Sequence, residues 1–324
     1  MSIVQEIKNR ILTSNGSYEV TREEAEALIK EPLEELCNAA DEIRKEVCGN
    51  KFDMCTIING KCGKCSEDCK YCAQSAHYET ECTDSWELLP TEKILEDARY
   101  NDSKGVLRFS IVTSGKRLTE DEVERACESI RAIRENTSLE VCISFGLINE
   151  KQFRRLKEAG ASRVHCNLET SEKYFPQVCT THTYQEKIDT LKAAVRAGLE
   201  ICSGGIMGLG ETMEDRIDMV ITARGLGVRS IPVNLLNPIK GTPYENNRTL
   251  TKDEARRCIA IFRFLIPDGC IRLAGGRGLL DDKGRSCFTS GANAAISGDM
   301  LTTAGITVDK DKKMLAELGF EVRL

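Results

Sequence analysis

Histidine is scarce in this chain, with 3 in 324 residues, and there is a single Trp. The shortage of His argues against a centre built on several imidazoles. No run of about 18 apolar residues occurs, which excludes a transmembrane helix. The first residues, MSIVQEIKNRILTSNGSYEV, mix charges with apolar residues and carry no apolar core of the signal-peptide kind. Charge of one sign is also lacking. Lys and Arg number 45 against 51 Asp and Glu, a formal net charge of −6. Such an acidic, evenly mixed chain has no dedicated surface for nucleic acid or an anionic membrane. Low-complexity linkers and internal repeats are missing too. Together these point to a cytoplasmic protein with its own hydrophobic core.

Cysteine is abundant, at 16 residues. With no secretion signal, a reducing compartment is expected, in which thiols are free, catalytic or metal-bound. Free Cys also packs as a small hydrophobe. Cys37, Cys48, Cys127 and Cys258 fall in helical stretches and read as core. Cys166 alternates with His165 and Asn167 and reads as facing outward to the helices. Cys62, Cys82 and Cys179 fall in loops near the mouth of the fold. Cys270 and Cys287 carry no assignment.

Residues 1–50 read as helices, with Ile3, Ile7, Ile11, Leu28, Leu33 and Leu36 at three- to four-residue spacing. Short apolar runs then alternate with longer charged, helix-periodic runs. Strands are predicted at 53–59, 106–112, 139–145, 163–168, 199–206, 229–235, 270–275 and 290–297. Helices are predicted at 91–103, 119–135, 149–159, 184–197, 212–226, 251–265 and 276–287. Eight β-then-α steps predict a (β/α)8 TIM-type barrel over 51–324, capped by the N-terminal helices. A doubly wound open sheet is the alternative.

The segment GKCGKCSEDCKYCAQSAH follows the first predicted strand. Cys65, Cys69 and Cys72 form C-x3-C-x2-C, with Tyr71 between two ligands. Three thiolates in one short loop can hold a cubane, whereas a ferredoxin-type cluster takes four. One iron is then open to a substrate or cofactor. A zinc knuckle completed by Cys62 is the competing reading, but zinc sites usually pair two ligand hairpins separated in sequence. Further along, SGGIMGLGET is a glycine-rich turn before a helix, where Gly205, Ile206 and Gly208 could approach a ligand.

These motifs, with NLLNPIKGTP, IRLAGGR and GANAAISGDMLTT, resemble the radical S-adenosylmethionine superfamily and, within it, the biotin synthase family. The resemblance spans about residues 50–305 and comprises several separate motifs in family order. It implies a [4Fe–4S] cluster on Cys65, Cys69 and Cys72, with S-adenosylmethionine chelated to the open iron and dethiobiotin as substrate. Tyr71, Gly205, Ile206 and Gly208 would border the cofactor. Asn167 and Glu169 would hold its ribose and methionine end, and Lys187, where the family usually has Arg, would sit near its carboxylate. Asn234, with Asn167, would meet the ureido ring of dethiobiotin, and Thr302 its carboxylate tail. His165 stands where the family often has Asn, and His182 reads as a surface-loop residue. A flavodoxin or ferredoxin reductant and a homodimer are also implied. An electron carrier or a hydrogenase-cofactor maturase on the same barrel are the alternatives.

The resemblance also implies an auxiliary cluster as the sulfur donor. In the familiar form it is a [2Fe–2S] cluster on three Cys and one Arg. Here Cys142, Cys202 and Arg272 match, but the third thiol position is Ser110, a poor ligand for soft iron–sulfide chemistry. Cys55, on the adjacent first strand, stands where the family has Ser. Ala294 replaces a Ser that cradles the ligating Arg, while Ser230 is retained. The expectation is an altered cluster on Cys55, Cys142 and Cys202, [4Fe–4S]-based with an extra sulfide as in variants from anaerobic bacteria. Arg272 would then be a supporting donor, not an iron ligand.

Overall fold

The computed structural model describes residues 1–82, 84–303 and 305–324. Parallel strands alternate with helices after three N-terminal helices, α1 (Ile3–Thr13), α2 (Arg22–Ala27) and α3 (Leu33–Cys48). The strands are β1 (Lys51–Lys61), β2 (Arg108–Thr113), β3 (Glu140–Ser144), β4 (Ala161–His165), β5 (Glu200–Cys202), β6 (Gly205–Met207), β7 (Ser230–Leu235), β8 (Cys270–Leu273), β9 (Ala294–Ile296) and β10 (Glu321–Val322). The remaining helices are α4 (Thr91–Ser103), α5 (Glu120–Asn136), α6 (Glu150–Glu158), α7 (Tyr184–Arg196), α8 (Met213–Gly225), α9 (Lys252–Leu265), α10 (Arg285–Phe288) and α11 (Val308–Glu317).

Pairing runs β1-β2-β3-β4-β5-β7-β8-β9 and returns to β1 through Asp53↔Ala294, Met54↔Ala295 and Cys55↔Ile296, so the sheet closes. With β6 continuing the stave begun by β5, this is the predicted eight-stave parallel barrel, not the open sheet. β10 pairs alongside the first residues of β1 and ties the C-terminal segment to the start of the barrel.

The βα steps carry their own start signals. Thr119, Asn149, Thr183, Thr212 and Thr251 each accept a backbone N–H at a helix start, and the acid or amide three residues on answers in a capping box. The apolar stripes of these helices bury against outward-facing strand residues such as Phe109, Ile111, Val141, Ile143 and Val164. Cys37, Cys127, Cys258 and Cys287 belong to this apolar core. Cys166 packs against it as well but, contrary to the outward placement expected from the sequence, also lines the cavity. The inward set is different. Cys55, Ile57, Arg108, Ser110, Cys142, Arg163, His165, Cys202, Asn234 and Arg272 line the interior instead.

Two predicted elements come out differently. The stave expected at 199–206 breaks at Ser203–Gly204. A Cβ on Gly204 would lie 2.0 Å from the Pro232 carbonyl, and one on Gly205 2.2 Å from that of Glu169. These glycines therefore serve strand packing, since no other residue allows the backbones so close. The helix expected at 276–287 is reduced to a 3-10 turn at Arg277–Leu279 and the single turn α10. Gly276, Lys283 and Gly284, with φ of +76°, +56° and +88°, interrupt any continuous helix there.

Candidate iron–sulfur and substrate site

A cavity of about 440 Å³ opens at the carboxyl ends of the strands. Its wall brings together Cys65, Cys69 and Cys72 from the β1–α4 loop, Cys55, Cys142 and Cys202 from the strands, and Arg272. Tyr71, Asn167, Glu169, Lys187, Ile206, Asn234 and Thr302 also line it. Gly205 and Gly208 stand behind this wall; of the glycine-rich turn, the lining side chain is that of Ile206.

The loop that bears the first three thiols is laced to itself. Cys65 N–H donates to Gln74 O at 3.0 Å, Ala76 N–H to Cys65 O at 2.8 Å, and Cys72 N–H to Cys69 O at 2.9 Å. It is also fastened across the mouth. Lys70 N–H donates to Val178 O, and the Asp68 carboxylate accepts the N–H groups of Thr180 and Thr181 at 2.8 and 3.1 Å. The Cys65 sulfur accepts the N–H of Gly115 at 3.3 Å. Among the described residues, the three sulfurs do not all fall within 4.8 Å of one another. One tetrahedral ion would draw them to about 3.8 Å; a wider spacing suits separate corners of a cubane. Cys62 does not join them. It bridges to Trp86, and its thiol points to Asp84 O at 3.6 Å.

Beside this loop is a polar cradle. Tyr71 OH donates to Glu169 Oε1 at 2.9 Å, and Lys187 Nζ lies 3.9 Å from the same atom. Burial would lower the Lys187 ammonium, but the Cys166 thiol and the Glu169 carboxylate outweigh it and hold its pKa above the ordinary value. Glu169 Oε2 is buried with no partner. A lone carboxylate oxygen aimed at a cavity costs free energy unless a ligand completes it, so the residues fit a polar, cation-bearing cofactor. Glu169 adopts φ +71°, an uncommon left-handed backbone for a residue with a side chain, and bridges to the stave break at Gly205. Asn167 Oδ1 accepts Gly204 N–H at 3.1 Å. Asn234 donates to Gly205 O at 3.1 Å and accepts Gly275 N–H at 2.9 Å, so its amide is fixed by both neighbouring strands.

The barrel interior below holds an ion network not foreseen in the sequence. Asp53 Oδ2 lies 2.9 Å from Arg272 Nη2, 3.0 Å from Arg108 Nε and 3.4 Å from Arg163 Nη1. Burial would raise the Asp53 pKa; Arg272, Arg108 and Arg163 together hold it well below the carboxylate range. With Glu200 also pairing Arg163 at 2.7 Å, three guanidiniums against two carboxylates leave this network net positive beside three thiols. Cys55 and Cys142 are buried neighbours whose titrations oppose one another: the Cys55 thiol is pushed up and the Cys142 thiol drawn down, each chiefly by the other. Cys202 Sγ donates to Ser230 Oγ at 3.2 Å. Arg272 Nη1 donates to the carbonyls of Asp53 and Ala295 at 3.0 and 3.1 Å. Its guanidinium is thus committed to β1 and β9. Asp53 Oδ1 and Thr56 Oγ1 remain buried and unpartnered. The donor set, three soft thiols in a positive pocket, fits an anionic iron–sulfur group.

One expectation is overturned. His182 is not on a surface loop but 8% exposed, its Nδ1 2.6 Å from Glu67 Oε2 and 3.3 Å from Cys179 Sγ. Cys179 in turn lies 3.8 Å from Cys69 Sγ. Its pKa is drawn down to about 4, chiefly by the hydrogen bond with Cys69. Glu67 and His182 are 115 positions apart, and no local pattern announces such a pair.

Residues 61–223 match the model of the Radical SAM superfamily, and residues 232–321 that of the Biotin and Thiamin Synthesis associated domain. The fold and the three-thiol loop thus define a radical S-adenosylmethionine barrel. The chain is 58% identical to the biotin synthase of Akkermansia muciniphila over 324 residues, covering 100% of both. It is 56% identical to that of Brachyspira hyodysenteriae, covering 99% of this chain and 95% of the relative. For that of Clostridium botulinum the identity is 52%, covering 99% and 100%. The chain belongs to the biotin synthase family. Among solved structures, methylornithine synthase superposes with a TM-score of 0.84 at 18% identity, covering 100% of this chain and 98% of that one. A maturase of the [FeFe]-hydrogenase superposes at 0.81 and 17%, covering 98% and 74%. At such identities they share the fold alone.

Proposed function

We propose that this chain converts dethiobiotin to biotin, and that its sulfur comes from an auxiliary cluster held by Cys55, Cys142 and Cys202. The observation that carries the reading is the stacking of two separate three-thiol sets in one cavity, one at the mouth and one in the interior, with the polar cradle between. Cys65, Cys69 and Cys72 would hold the [4Fe–4S] cluster. When bound, the two clusters and S-adenosylmethionine supply reductive sulfonium cleavage, hydrogen abstraction from unactivated C–H bonds, and sulfur.

The residues of the chain position and shield. Glu169 and Asn167 accept hydrogen bonds from the methionine amine and ribose of S-adenosylmethionine, and Lys187 neutralises its carboxylate. Asn234, locked by its two backbone bonds, offers its remaining lone pair and N–H to the ureido ring. Thr302 takes the substrate carboxylate at the rim. Ile57, Val112, Ile206 and Leu301 line the wall between and keep water from reactive carbon.

The commitment of Arg272 to Asp53 supports an auxiliary cluster without a guanidinium ligand, [4Fe–4S]-based with an extra sulfide, over the [2Fe–2S] form. A flavodoxin or ferredoxin supplies the electron, and the family resemblance suggests a homodimer. No helix among the described residues is long and apolar enough to cross a membrane. The test is anaerobic incubation with dithionite, S-adenosylmethionine and dethiobiotin. Release of 5′-deoxyadenosine that depends on dethiobiotin, with biotin formed, is the expected result. Release independent of dethiobiotin would overturn the substrate, and iron and sulfide counts matching a single cluster would overturn the auxiliary site.

A further inference from the structure

Cys179 and His182 have no part in the reaction proposed above, yet both are buried against the cluster loop. The sulfurs of Cys69 and Cys179 and a ring nitrogen of His182 all lie within 4.8 Å of one another. Tetrahedral zinc, with bonds of about 2.3 Å to sulfur and 2.0–2.1 Å to nitrogen, sets two sulfurs about 3.8 Å apart and sulfur and nitrogen about 3.6 Å apart. The chain has 3.8 Å between Cys69 Sγ and Cys179 Sγ, and 3.3 Å between Cys179 Sγ and His182 Nδ1. We infer that the cluster-free chain binds one thiophilic divalent cation, Zn2+ or Fe2+, on Cys69, Cys179 and His182, and that this ion excludes the [4Fe–4S] cluster.

The donors are set in place before any ion arrives. Cys179 and His182 flank Thr180 and Thr181, whose N–H groups are held by the Asp68 carboxylate. The His182 ring packs 5.7 Å from that of Phe175, and α7 begins two residues on. Glu67 Oε2 now engages Nδ1, and also accepts Thr181 Oγ1–H at 2.8 Å. When the ion binds, the imidazole releases the proton that Nδ1 donates to Glu67 and keeps its proton on Nε2, Nδ1 ligates the metal through the freed lone pair, and Glu67 keeps Thr181. Ligation needs both sulfurs as thiolates, so protons leave as the ion enters. Cys69 cannot serve a lone ion and a cubane corner together, which makes the two metal states alternatives. Only this last clause rests on the reading of Cys69 as a cluster ligand.

The experiment uses the full-length chain, stripped of clusters and kept reduced and anaerobic, titrated with Co2+. Expected is a one-equivalent tetrahedral d–d spectrum with thiolate charge-transfer intensity for two sulfurs, displaced by Zn2+. His182→Gln and Cys179→Ser should each weaken that component at least tenfold, while Cys72→Ser keeps it; far-UV circular dichroism verifies that each variant is folded. Unchanged titrations in His182→Gln and Cys179→Ser, or loss in Cys72→Ser, would overturn the site. Preloading with Zn2+ should also slow iron–sulfide reconstitution in the wild type and not in His182→Gln. Cobalt binding without that slowing upholds the cation site and removes Cys69 from the cluster.

Discussion

The mouth of the barrel and its interior each collect three thiols, by opposite means. At the mouth, Cys65, Cys69 and Cys72 are neighbours in sequence, and a short self-bonded loop sets their positions. In the interior, Cys55, Cys142 and Cys202 come from β1, β3 and β5, and strand register sets them. The electrostatics are opposed as well. Carboxylates crowd the mouth, where Glu169 faces Lys187, Glu67 meets His182 and Asp68 holds Thr180 and Thr181. Guanidiniums crowd the interior, where Arg108, Arg163 and Arg272 share Asp53. A loop can adjust to admit a cluster and a cofactor; a closed barrel must present its interior ligands already spaced.

Four perturbations can break or sharpen this contrast. Replacing Cys65 or Cys72 by Ala should abolish 5′-deoxyadenosine release, read by chromatography, because the other thiols of the loop, Cys62 and Cys82, lie outside the cavity wall and cannot stand in. Cys142→Ala or Cys202→Ala should lower the iron content and abolish biotin, yet leave 5′-deoxyadenosine release detectable. Equal loss of both products would mean that the two sets act as one site. Asp53→Asn should cost about 3–5 kcal/mol at neutral pH, because it strips the carboxylate from the buried Arg108 and Arg272, while half-buried Arg163 keeps Glu200. The sign with pH follows from its depressed pKa. The carboxylate contributes fully above its unfolded value near about 4 and loses that contribution as pH falls toward its lower folded value. The deficit of Asp53→Asn in denaturant unfolding should therefore shrink on acidification. Ser110→Ala should have the smallest effect, leaving iron content and biotin yield nearly unchanged. A clear drop in iron would return Ser110 to the ligand set.

Much of the mouth was legible because its information is local: ligand spacing, the aromatic residue between ligands, the glycine-rich turn. The inward placement of Cys142 and Cys202 was legible through the family resemblance, and that of Cys55 through exchange with Ser110 on the adjacent strand. The Asp53 network was not, since Arg108, Arg163 and Arg272 converge only once β9 closes onto β1. The burial of Cys179 and His182 within their loop was not legible, because the partners that cover them, Cys69, Glu67 and Asp68, lie more than a hundred positions earlier. The stave break at Ser203–Gly204 was missed for a related reason. The contacts that force it come from the carbonyls of Pro232 and Glu169, outside the segment itself.

The pairing of β9 with β1 also orders events on the ribosome. The nascent chain carries every thiol of the mouth loop once its first quarter has emerged, so iron could be captured there early. Cys55, made in that same stretch, waits for residues 294–296 to be synthesised before its strand gains its second neighbour. The interior thiol set is thus brought together only after translation is nearly finished.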